Sequence, residues 1–143
     1  MPEDLPQLRI MQQLGRTYRA LQMAFDAKIG QPMPRWRILV MLRRRGEMSQ
    51  KELACALRVD PASLTRQLKT IERLGWVRRR NDEADNRLTN VVLTPAGVGV
   101  VEETMPRRLA FFERVLADFS HDDLARLGAL LDQLEQRVRE ELA

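Results

Sequence analysis

Cysteine and histidine are nearly absent from this 143-residue sequence, with one of each. A lone cysteine cannot close an intramolecular disulfide, and one histidine with one cysteine cannot build a zinc site. No metal and no cofactor is therefore expected. No apolar run approaches the roughly 18 residues that cross a bilayer. The opening MPEDLPQLRI lacks the basic and apolar regions of a secretion signal, so the expectation is a cytoplasmic protein without membrane contact. Catalytic signatures are missing too. His121 follows the helix-capping Ser120, no nucleophile motif occurs, and Gly97-Val98-Gly99 falls inside a helical pattern rather than a phosphate loop. An enzyme is not expected.

What is present is one domain's length of chain, 44% hydrophobic and 31% charged. The net charge of +4 is unevenly spread. Residues 1–34 hold 4 basic and 3 acidic groups, residues 35–94 hold 14 and 7, and residues 95–143 hold 6 and 10. A basic middle beside an acidic C-terminal part suggests a nucleic-acid face confined to one region.

Residues 5–29 carry Leu5, Leu8, Met11, Leu14, Tyr18, Leu21, Phe25 and Ile29 at steps of three and four, which predicts one long helix. So narrow a stripe packs few neighbours in a small domain, and part of it is expected to pair with a second subunit. Residues 30–34 break the pattern, and a second helix is predicted over residues 35–45. Trp36 there is either a packing anchor or the wall of a site for an aromatic ligand. Arg43, Arg44 and Arg45 suit the negative helix end, with phosphate contact as the other reading.

Ser49 and Glu52 form a capping-box pattern opening a short helix over residues 50–57. Arg58-Val59 makes the turn. Asp60 and Pro61 open the next helix, which places Leu64, Leu68, Ile71 and Leu74 inward and Ser63, Arg66, Gln67 and Thr70 along another ridge. Arginine, glutamine and hydroxyl side chains are the types that read base edges. Beyond Gly75, two strand patterns flank the turn-rich residues 81–86, a hairpin with Arg87 near its tip, aimed at a minor groove, and Asp85 placed to orient it. Lys69, Arg78, Arg79 and Arg80 are candidate phosphate contacts. Thr94-Pro95 and Ser120 open two further helices, the first with a kink expected at Pro106. The expected fold is mainly α with a small β-hairpin wing. It is a winged helix-turn-helix at residues 35–94, between a dimerisation helix at 1–34 and dimerisation helices at 95–143, in one intertwined domain.

In this order of elements the chain resembles the MarR family of bacterial winged helix-turn-helix transcription regulators. The matching residues are Trp36 with Leu39, Ser49-Gln50-Lys51-Glu52-Leu53-Ala54, Asp60-Pro61-Ala62-Ser63-Leu64-Thr65-Arg66, Leu74-Gly75-Trp76-Val77, Asp82-Glu83-Ala84-Asp85-Asn86-Arg87 and Leu93-Thr94-Pro95-Ala96-Gly97. The resemblance implies a homodimer on double-stranded, pseudo-palindromic operator DNA. It further implies a repressor released by a small aromatic or phenolic anion, with Tyr18, Arg19, Met33 and Trp36 as candidate effector contacts. Two alternatives stand beside it: a winged-helix protein-interaction module without DNA binding, and a regulator switched by oxidation of Cys55. Arg58 departs from the family, which often has glycine at that turn. Oxidation-sensing members tend to carry their cysteine in the first helix, which has none here.

Overall fold

The computed structural model describes residues 4–143. Among these the chain runs α1 (Pro6–Ile29), α2 (Met33–Arg45), β1 (Met48–Ser49), α3 (Gln50–Leu57), α4 (Pro61–Arg73), β2 (Val77–Asn81), β3 (Thr89–Leu93), α5 (Pro95–Leu116) and α6 (His121–Glu140). One compact unit extends through Leu109, and a second spans Ala110–Ala143.

The stripe on α1 has two fates. Phe25 and Ile29 are buried, whereas Leu5, Leu8, Met11, Leu14 and Tyr18 are exposed. The left-handed Gly30 closes the helix by donating its N–H to the Asp26 carbonyl. Helix α2 starts at Met33, two residues before the expected point, because Pro34 falls in the first turn, where a missing N–H costs nothing. Trp36 is 1% exposed and ties α2 to both neighbours. Its ring meets Phe25 edge-on at 6.0 Å, and its Nε1 donates to Thr104 Oγ1 of α5 at 2.7 Å. The Arg108 guanidinium lies 4.4 Å above its ring, and burial together with nearby Arg44 pushes the Arg108 pKa down.

Ser49 accepts the Glu52 N–H to cap α3, and its hydroxyl donates to the Glu52 carboxylate. Asp60 accepts the Ser63 N–H to cap α4. Between the two helices Arg58 takes the left-handed conformation, at φ 55° and ψ 46°. Leu53, Leu64, Leu68 and Ile71 form the core beneath the helix-turn-helix, joined by Val77 and Val91 of the sheet. Leu74, expected inward, is 46% exposed, because α4 ends at Arg73 and the chain turns at left-handed Gly75.

The sheet has the order β1-β3-β2, all antiparallel, with Val77 opposite Leu93 and Asn81 opposite Thr89 in the hairpin. Strand β1 is only two residues long, pairing Met48 with Val91 and Ser49 with Asn90. Thr94 joins hairpin to α5 by accepting the Gly97 N–H and donating its hydroxyl to the Gly75 carbonyl. Gly97 is required there, since a Cβ would overlap the Trp76 carbonyl oxygen. Helix α5 continues through Pro106 to Leu116. Ser120 caps α6, whose apolar Leu127, Leu130, Leu131 and Val138 are all exposed.

Candidate nucleic-acid interface

The ridge predicted to read bases is preassembled on α4. Asp60 Oδ2 accepts both the N–H (3.0 Å) and the hydroxyl (3.3 Å) of Ser63, and Ser63 Oγ accepts Arg66 Nη2 at 2.9 Å. One turn on, the Thr70 hydroxyl donates to the Arg66 carbonyl and accepts Arg73 Nη2, each at 3.3 Å. Gln67 is half-buried between these groups, and Lys69 is exposed. Because Leu64, Leu68 and Ile71 fasten the opposite face, the ridge is displayed on a rigid support.

The hairpin loop is held by two carboxylates. Asp82 Oδ1 accepts the N–H groups of Ala84 (2.8 Å) and Asp85 (3.0 Å), while Oδ2 accepts Asn90 Nδ2 at 2.9 Å. The Asn90 amide, followed by those two N–H groups, holds the Asp82 pKa below the ordinary aspartate value. Asp85 grips Arg87 in a fork, accepting Nε at 3.0 Å and Nη2 at 3.2 Å, and takes the Arg87 N–H as well. The Arg87 side chain bonded to it lowers the Asp85 pKa in turn. The guanidinium is thus held by Asp85 yet 90% exposed.

The three strand arginines, alike in sequence, have three different surroundings. Arg78 is exposed. Arg80 forms a fork to Glu47, with both bonds at 2.9 Å, and that carboxylate raises its pKa. Arg79 points to the other face of the strand, with a side chain 22% exposed, and reaches Glu72 and Gln50. Glu47, Glu72 and Gln50 carried no signal in the sequence, because each meets its arginine across a sheet or a helix boundary rather than along one element.

Of the residues expected at an effector site, Tyr18 and Arg19 are exposed on α1, Met33 is half-buried, and Trp36 is enclosed. A separate cleft of about 220 Å³ opens between α2 and α4, lined by Pro34, Arg37, Ile38, Leu57, Val59, Ser63, Leu64 and Gln67. Arg37 donates across its floor to the Leu57 carbonyl at 3.2 Å. Cys55 is exposed on α3. Among the described residues no cluster of His, Cys, Asp and Glu could hold a metal ion, and no helix is long and apolar enough to cross a membrane.

The MarR family model matches residues 32–89. The HTH-type transcriptional regulator YdgJ of Bacillus subtilis is 30% identical over 129 residues, an alignment covering 90% of this chain and 79% of that protein. AbsC, a MarR family transcriptional regulator from Streptomyces coelicolor, has a TM-score of 0.83 at 26% identity, with 96% of both chains covered. A mutant of E. coli MarR complexed with operator DNA shares the fold, with a TM-score of 0.78 at 23% identity over 92% of this chain and 95% of that one. With its capped helix-turn-helix, hairpin wing and these relatives, the chain belongs to the MarR family of winged helix-turn-helix transcription regulators, a family of regulators rather than enzymes.

Proposed function

We propose that the chain acts in the cytoplasm as a homodimeric repressor, binding a pseudo-palindromic operator and releasing it when a small aromatic or phenolic anion binds. One observation carries the DNA reading. The ordered ridge of Ser63, Arg66 and Thr70, with Gln67 beside it, accompanies a wing whose Arg87 is aimed by Asp85 while exposed. Ser63, Arg66, Gln67 and Thr70 read bases in the major groove, and Arg87 probes the minor groove. Of the phosphate-contact candidates, Lys69, Arg78 and Arg80 are exposed, whereas Arg79 is engaged by Glu72 and Gln50 and is the least suited of the four. The α6 apolar face, on which Leu127, Leu130, Leu131 and Val138 are exposed, and the exposed half of the α1 stripe support a second copy as their cover.

The cleft between α2 and α4 favours release by a ligand, because Ser63 and Gln67 line it and also belong to the reading ridge. A molecule seated there competes for side chains that DNA needs. Tyr18, Arg19, Met33 and Trp36 mark the other seat we propose for the effector. Selecting bound duplexes from a random pool tests the function directly. A palindrome with half-sites about one turn, roughly 34 Å, apart supports dimer and helix assignment together. A single asymmetric site, or no enrichment, contradicts them.

A further inference from the structure

We infer that Glu72 and Arg79 are a positioning pair that fixes the wing on the recognition helix and thereby sets what Arg87 contributes to DNA binding. The inference rests on the DNA-binding reading above. Glu72 is the penultimate residue of α4, and Arg79 is the middle residue of β2. One carboxylate oxygen accepts Arg79 Nη2 at 2.9 Å and the other accepts the Arg79 backbone N–H at 3.2 Å, so side chain and strand are both held. Nη1 meets Gln50 Oε1 at 3.5 Å, and Gln50 Nε2 donates to Thr65 Oγ1 at 3.4 Å. A single guanidinium therefore links the wing directly to the last turn of α4 through Glu72, and indirectly to Thr65 of α4 through Gln50 of α3. Its Nε is buried without a hydrogen-bond partner, which marks a group turned into the protein rather than toward a phosphate. Val91 lies opposite Arg79 across the hairpin, so the anchored point also fixes β3, and Arg87 sits between the two strands.

The sign of one substitution separates positioning from plain charge. Glu72→Gln removes a negative charge from a lobe that binds a polyanion, and charge alone predicts tighter binding to every duplex. The amide also breaks one of the two bonds to Arg79 whichever way it turns, since its NH₂ cannot accept. Positioning therefore predicts weaker binding to a duplex selected from a random pool, by about tenfold. A random-sequence duplex of equal length is bound as well as before or better. Arg87→Ala, costly in the wild-type chain, then adds little in the Glu72→Gln background. Arg79→Lys keeps the charge but has one nitrogen in place of the two that reach Glu72 and Gln50, and it lowers affinity for the selected duplex with an unchanged salt slope. Tighter binding by Glu72→Gln to both duplexes, an equal cost of Arg87→Ala in both backgrounds, or full binding by Arg79→Lys overturns the inference. If the folded wild-type chain binds neither duplex, the DNA-binding reading itself fails, an outcome distinct from these three.

Discussion

Arg58 occupies a backbone conformation that its own side chain opposes. Its φ of 55° and ψ of 46° lie in the left-handed region, and its N–H donates to the Cys55 carbonyl at 3.2 Å to close α3. A Cβ in that conformation costs roughly 1–2 kcal/mol. Glycine escapes this cost but has more freedom to lose on folding, which offsets about 0.5–1 kcal/mol. Arg58→Gly should therefore stabilise by about 0.5–1 kcal/mol and raise Tm by about 2–4 °C for a chain of this size. Because the Arg58 side chain makes interactions of its own, the cleaner comparison is Arg58→Gly against Arg58→Ala. Both lack the guanidinium, and only alanine keeps the strained Cβ. Calorimetry at one fixed protein concentration measures the difference, since the Tm of any self-associating chain depends on concentration. A glycine variant no more stable than the alanine variant refutes the reasoning.

Three further outcomes are expected. Arg87→Ala should leave Tm almost unchanged, because an exposed ion pair contributes about 0–1 kcal/mol, while its loss from the groove weakens operator binding by about 1–3 kcal/mol. Unchanged affinity in a titration of the selected duplex contradicts the wing assignment. Gly97→Ala forces a Cβ against the Trp76 carbonyl and should destabilise by about 1–3 kcal/mol, read as a lower denaturant midpoint; a midpoint equal to wild type refutes the close approach. Acid should weaken the wing. Glu72, Asp82 and Asp85 all have folded pKa values below their ordinary ones, with bonds from Arg79, Asn90 and Arg87 respectively as the leading causes. Their stabilisation is complete above the ordinary carboxylate range of about 3.9–4.3 and fades as pH falls through the lowered values. The fall of Tm with acid should be shallower in Asp82→Asn; an identical slope contradicts it.

Local chemistry made much of this fold legible. Ser49, Asp60 and Ser120 each announce a helix by a side chain that caps it, and all three make the expected bond. The α4 ridge and the Asp85–Arg87 fork follow from spacings of two to four residues. What stayed hidden is paired over distance. The two-residue β1 is shorter than any alternation that could reveal a strand, and only its pairing with Asn90 and Val91 of β3 defines it. Trp36 and Thr104 are 68 residues apart, and Arg80 and Glu47 are 33 apart. Three consecutive arginines look equivalent in sequence because nothing local records which side of β2 meets Glu72 and which meets Glu47.

Salt dependence of duplex binding tests the central claim most directly. The chain should bind a selected duplex with log affinity falling linearly in log salt between about 50 and 200 mM, and several phosphate contacts should give a steep slope. Random DNA should be bound more weakly. A folded, dimeric chain that binds no duplex at the low-salt end would contradict the account and favour a winged helix that docks protein instead.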